Sequence, residues 1–145
     1  MTQHGTVLLV EDNKMDEELT LRALRKNHVA NPIDIARDGA DALDYLFARG
    51  AHASRADAPL PELILLDLKL PKLDGHDVLR AIRADERTRL MPVVMMTSSR
   101  EQQDVIESYK LGVNSYVVKP VEFDNFSAAV AELGHYWLLV NQAPK

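Results

Sequence analysis

Four apolar runs of the sequence each end in a side chain capable of chemistry. "TVLLV" (6–10) is followed by Glu11 and Asp12, "LILLD" (63–67) ends in Asp67, "PVVMMT" (92–97) ends in Thr97, and "SYVV" (115–118) is followed by Lys119. One polar residue where a buried run reaches solvent is ordinary; the same arrangement on four runs suggests a shared site. Three carboxylates that meet repel one another, and without compensation at least one takes up a proton. A hard divalent cation relieves the repulsion. Mg²⁺ prefers carboxylates, retains several waters and shares its shell with phosphate oxygens. Lys119 adds positive charge, and the Thr97 hydroxyl can rotate toward a new oxygen. Such a group suits phosphoryl transfer, in which positioning and charge neutralisation do most of the catalysis. A carboxylate is also a competent nucleophile, giving an aspartyl-phosphate.

Convergence requires a sheet whose strands all end on one side. With "IDIA" (33–36), the chain has five short apolar runs alternating with segments of helical character. The first, third and fourth lack polar alternation, as strands covered on both faces require, and each connection is long enough for a right-handed crossover helix. The spacing predicts helices from about Met15 to Asn27, after an Asp38 cap, from about Gly75 to Ala84, from about Arg100 to Leu111, and after Pro120. Phe126, Val130, Leu133 and Trp137 share one face of the last. The expected architecture is a doubly wound α/β domain: five parallel strands ordered 2-1-3-4-5, with five helices and ligands outside the carboxyl ends of the strands. Strands 1, 3, 4 and 5 are then neighbours, and their terminal residues meet. The segment 48–61, "ARGAHASRADAPLP", reads as a solvated, mobile insertion.

Size and composition bound the rest. A chain of 145 residues with 46% hydrophobic and 27% charged residues is expected to be one domain over 1–145, with a core at about 6–140 and a short tail at 141–145. The net charge of −5 argues against a nucleic-acid surface. The lack of cysteine excludes disulfides and fits a reducing cytoplasm, and no apolar run suffices for a signal sequence or a membrane span. The histidines at 4, 28, 52, 76 and 135 have no metal spacing and read as surface residues.

The motifs "LLVEDN" (8–13), "ILLDLKLPKLDG" (64–75), "VVMMTSS" (93–99) and "SYVVKP" (115–120) resemble those of response-regulator receiver domains of two-component signalling, in order and at matching intervals. The resemblance implies the flavodoxin-like receiver fold and a signalling module that catalyses only its own phosphorylation and dephosphorylation. It implies that Asp67 accepts a phosphoryl group from a sensor histidine kinase. By the same matching Asp12 binds Mg²⁺ directly, Glu11 binds it through water, and Asp67 and the Lys69 carbonyl complete the protein ligands. Thr97 bonds the phosphoryl group and Lys119 pairs with it. Lys119-Pro120 matches a cis peptide, and Tyr116 matches an aromatic switch that turns inward as Thr97 is drawn to the phosphoryl group. The end "AELGHYWLLVNQAP" (131–144) and the long loop are similar to those of single-domain regulators of phytochrome-type kinases, which implies a homodimer involving Tyr116, Trp137 and Leu138. Glu at position 11 stands where Asp is commoner. Lys69 and Ser99 flank the path of attacking water, so the phosphoryl lifetime does not carry over from relatives.

Two other functions compete. An aspartate-based phosphohydrolase shares the Mg²⁺, Thr and Lys chemistry, but its nucleophile lies in a D-x-D pair on the first strand, whereas Lys69 stands two residues after Asp67. A receiver-shaped interaction module that accepts no phosphate would not need the full set of pocket residues. A flavin carrier is disfavoured because "EDNKMD" (11–16) is acidic where a phosphate loop should be rich in Ser, Thr and Gly.

Overall fold

The structure, a computed structural model, describes residues 5–26 and 30–118. In chain order the elements are β1 (Val7–Val10), α1 (Lys14–Lys26), β2 (Ile33–Ala36), α2 (Gly39–Phe47), a 3-10 helix (Gly50–Arg55), β3 (Leu63–Leu66), α3 (Gly75–Ala84), β4 (Val93–Thr97), α4 (Gln102–Lys110) and β5 (Ser115–Val118). The strands form one parallel sheet in the order β2-β1-β3-β4-β5. The predicted helix after Pro120, with Phe126, Val130, Leu133 and Trp137, lies outside the described residues.

The unbroken apolar runs have a direct cause. Along β1, β3 and β4 successive side chains point to opposite faces, and every one is buried. Leu8, Val10, Ile64, Leu66, Val93 and Met95 pack in one cluster with Ala42, Leu43 and Leu46 of α2 and Val78, Leu79 and Ile82 of α3. Val7, Leu9, Leu63, Leu65, Val94 and Met96 form the opposite face with Leu24 of α1. β2 lies beside β1 and exposes Asp34, hence its weaker apolar character. Among the described residues no helix is long and apolar enough to cross a membrane.

Polar side chains cap the starts of α1, α2 and α3, whereas α4 follows Glu101 with no side-chain cap. Asp38 accepts the Asp41 amide at 2.7 Å. Asp74 and Asp77 form a reciprocal capping box at α3, and Asn13 Oδ1 accepts the Asp16 amide in the first turn of α1. Arg83 ties the other end of the molecule. Its guanidinium donates to the carbonyls of Arg89, Met91 and Gly112 and to Asn114 Oδ1, joining α3 to the start of β4 and the α4–β5 turn.

Two sequence expectations need correction. The insertion at 48–61 is not simply solvated: its 3-10 helix docks on α2. The Arg55 guanidinium lies 3.5 Å from the centroid of the Tyr45 ring, His52 packs edge-on against that ring, and His52 Nε2 is 2.7 Å from Asp41 Oδ1. Tyr45 itself is anchored by donating to Asp34. Nor are all the histidines surface residues: His52 and His76 are half-buried, and His76 Nε2 meets the buried Ser108 Oγ at 2.8 Å, linking α3 to α4. Neither contact is visible to a reading based on metal spacing.

Gly75 marks the tightest approach near the site. A Cβ there would sit 2.5 Å from the Asp67 carbonyl oxygen and 2.7 Å from Leu68 Cα. Both are backbone atoms and cannot swing aside. Gly75→Ala should cost about 1–3 kcal/mol of stability, as overpacking does. Urea unfolding measures this; a loss within error would show that the loop after β3 yields freely.

Candidate functional site

Parallel register brings the acids together. Val10 stands opposite Leu66, so the next residues, Glu11 and Asp67, leave the sheet side by side. The ladder continues one step beyond the strands: the Asp67 amide donates to the Val10 carbonyl at 3.1 Å, and the Glu11 amide to the Ala36 carbonyl at 2.9 Å. One carboxylate oxygen each from Glu11, Asp12 and Asp67 lies within 4.8 Å of the others. Glu11 and Asp67 are buried and Asp12 is exposed, so the group opens to solvent on one side. Asn13 N donates to Glu11 Oε2 at 3.2 Å, and Lys69 N donates to Asp67 Oδ1 at 3.1 Å. The Gly75 amide donates to the Leu68 carbonyl at 2.8 Å and folds the loop back under Asp67.

Leu66 pairs with Met95, so Thr97 lies farther along the neighbouring strand. It is fully buried, and its Oγ1 accepts the Ser99 amide at 3.3 Å. Ser99 has three further partners. Its carbonyl accepts the Tyr116 hydroxyl at 3.1 Å, its hydroxyl donates to Asp104 Oδ2 at 2.5 Å, and its Oγ accepts the Glu101 amide at 3.4 Å. Asp104 Oδ2 also lies 3.8 Å from Lys69 Nζ. Tyr116 is half-buried and packs against the central cluster.

Burial pushes the Tyr116 phenol above its ordinary value; the carboxylates of Asp104, Asp67 and Glu101 push the same way, and an opposing contribution from Ser99 does not cancel them. Asp38 closes the neighbouring loop. Its carboxyl is held below the usual range first by the Asp41 amide and then by Lys72, whose Nζ is 3.4 Å away.

Glu11, Asp12, Asp67, Lys69, Thr97 and Tyr116 are thus gathered at one end of the sheet. Lys119, Pro120, Trp137 and Leu138 lie outside the described residues, and so do the expected cis peptide and most of the expected dimer face. Asp104 was not singled out from sequence, and the bond it accepts from the Ser99 hydroxyl was not expected. An acid in the first turn of a helix has an ordinary explanation in the helix dipole, so nothing in the sequence marked it.

Residues 7–131 match the family model described as the response regulator receiver domain. The chain belongs to that family. This receiver domain is 42% identical over 139 residues to the probable methanogenesis regulatory protein FilR2 of Methanothrix harundinacea, covering 95% of this chain and 86% of FilR2. It is 38% identical over 132 residues to the response regulator Rcp1 of Synechocystis, covering 91% and 88%. The structure of the phosphorylated cyanobacterial phytochrome response regulator RcpA superposes with a TM-score of 0.90 at 37% identity, covering 98% of this chain and 99% of RcpA. The Mn(2+)-bound form of Rcp1 superposes at 0.89 with 36% identity, covering 97% and 99%. The bacteriophytochrome response regulator AtBRR gives 0.77 at 50% identity, covering 97% and 100%. Similarity over almost the whole length places the receiver domain beside regulators of phytochrome signalling.

The raised Tyr116 phenol has a consequence at high pH. As pH passes the ordinary value of 10.0, the unfolded chain loses this proton before the folded one, so stability falls. Tyr116→Phe should lose less stability between pH 9 and pH 11 in urea unfolding. An equal loss in both proteins would mean that the phenol titrates normally in the fold.

Proposed function

We propose that Asp67 is the phosphoacceptor and that the phosphoryl group comes from a sensor histidine kinase of phytochrome type. The convergence of Glu11, Asp12 and Asp67 at the end of β1 and β3 carries this reading. In the transfer, an Asp67 carboxylate oxygen forms a bond to phosphorus while the bond from phosphorus to the kinase histidine nitrogen breaks. The electron pair of that bond stays on the imidazole, which takes up a proton.

The residues present suit a hard divalent cation, because three carboxylates in mutual reach need positive charge to stay ionised. Asp12, Asp67 and the Lys69 carbonyl would hold Mg²⁺ directly and Glu11 through water; when bound, the ion neutralises charge on the transferring phosphoryl oxygens. Thr97, buried beside the acceptor strand, offers its hydroxyl to the phosphoryl group. Lys119, the residue after β5, would supply the partner charge, and the matching motif implies a cis bond to Pro120. Tyr116, already bonded to the Ser99 carbonyl, reports the state of Thr97 to the surface of α4 and β5.

The full reading is one receiver domain over 1–145 that completes five strands with five helices, acts in the cytoplasm and passes its signal to another protein. The narrower assignment to phytochrome signalling is supported by the likeness to RcpA, Rcp1 and AtBRR. The homodimer would use Tyr116, Trp137 and Leu138.

Incubation with phosphoramidate and Mg²⁺, followed by mass spectrometry, tests the acceptor. Wild type should gain one phosphoryl group, Asp67→Asn none, and Asp12→Ala should need at least about tenfold more Mg²⁺ for the same rate. Undiminished labelling of Asp67→Asn would place the acceptor elsewhere. Sedimentation velocity tests the dimer: Trp137→Ala should shift it toward monomer, and an unchanged profile would remove Trp137 from the interface.

A further inference from the structure

The most specific polar cluster outside the acidic group joins the loop after β3 to the start of α4, with Asp104 at its centre. Asp104 sits in the first turn of α4, with its carboxylate largely shielded from solvent. One of its oxygens, Oδ2, serves both Lys69 Nζ at 3.8 Å and Ser99 Oγ at 2.5 Å. The main chains of those two residues are bonded to the reacting machinery. Lys69 N donates to Asp67 Oδ1, and Ser99 N donates to Thr97 Oγ1. Asp104 therefore holds the side chains of two residues whose backbones hold the acceptor and the buried hydroxyl. The Lys69 side chain is two-thirds exposed, so its ammonium is free to move if its partner is removed.

We propose that Asp104 is a positioning residue: by holding the Lys69 ammonium on α4, it keeps that charge off the phosphorylated Asp67 and leaves the phosphoryl group open to water. This rests on Asp67 being the acceptor and adds a determinant of the phosphoryl lifetime. In the hydrolysis it controls, a water oxygen bonds to phosphorus and the bond from phosphorus to the Asp67 oxygen breaks. The electron pair returns to the carboxylate, and the water proton leaves with inorganic phosphate or to solvent. A phosphoryl group carries close to two negative charges and attracts a nearby ammonium. The fixed charge of Asp104 competes for the same ammonium. When a neutral side chain replaces Asp104, Lys69 folds over the phosphoryl oxygens and obstructs the approach of water. Nothing about Asp104 would have to move for this to work; its charge alone sets where Lys69 rests.

The test is the hydrolysis rate of protein labelled with phosphoramidate, followed by mass spectrometry after removal of the donor. Asp104→Asn keeps the shape and a hydrogen bond to Ser99 while removing the charge. It should slow hydrolysis roughly twofold to fivefold, the range expected for a partly exposed ion pair. Asp104→Glu should restore a rate near wild type. In a Lys69→Ala background the Asp104→Asn change should have no further effect, which a merely structural role for Asp104 would not produce. Equal slowing with and without Lys69, or no slowing at all in normally labelled protein, overturns the inference and leaves the acceptor assignment standing. Failure of the wild-type protein to label at Asp67 overturns both.

Discussion

The chemistry of this domain depends on the parallel register between β1 and β3. Pairing Val10 with Leu66 puts Glu11 and Asp67 side by side as the chain leaves the sheet, with Asp12 next to them. Placing like charges together at the edge of an apolar core is unfavourable, and a slip of one residue would turn the side chains of β3 to the opposite face of the sheet. Close packing on both faces prevents the slip, because each strand carries apolar side chains matched to a cluster on its own side. The core thus holds in place a concentration of charge that would disperse in an unfolded chain. In the proposed function, that charge serves to bind a cation and, through it, a phosphoryl group.

From this group the structure leads outward through backbone and side-chain bonds rather than through the core. Ser99 is the junction. Its amide goes to Thr97, its carbonyl to Tyr116 and its hydroxyl to Asp104. A change at the buried Thr97 hydroxyl thus reaches both a half-buried aromatic ring and the first turn of α4 within one residue. The opposite end of the same helix is held differently. There the Arg83 guanidinium grips the carbonyl of Gly112 and the Asn114 side chain beyond α4. Burial lowers the affinity of that guanidinium for its proton without making it neutral at physiological pH, so the clamp stays charged. A helix held by a fixed clamp at one end and by side-chain bonds to the site at the other suits a transmitted signal.

The insertion after α2 shows how a connecting segment becomes part of the fold. Its 3-10 helix packs Arg55 over Tyr45 and sets His52 against Asp41, so α2 is covered on a side that would otherwise meet solvent. Tyr45 lies in the central cluster, and burial, followed by its bond to Asp34, raises its phenol well above the ordinary value. The insertion therefore bears on the β2–α2 corner of the domain rather than on the acidic group.

The sequence by itself determined the strands, the approximate place of the four described helices, and the family. Unbroken apolar runs can be buried only between two layers, Asp38 announces a helix through a local hydrogen bond, and four ordered motifs cannot coincide by chance at these intervals. It also named the acids that meet, because the residue after a buried parallel strand must emerge at the site. Only the tertiary structure decided which partners those residues take. That Ser99 serves Thr97, Tyr116 and Asp104 at once depends on where α4 starts relative to β4, and that Arg83 reaches Gly112 depends on how α3 lies beside the α4–β5 turn. The docking of His52 and Arg55 is of the same kind. Local preferences act over a few residues along the chain, whereas these contacts join residues whose distance in space is fixed by the packing of whole elements.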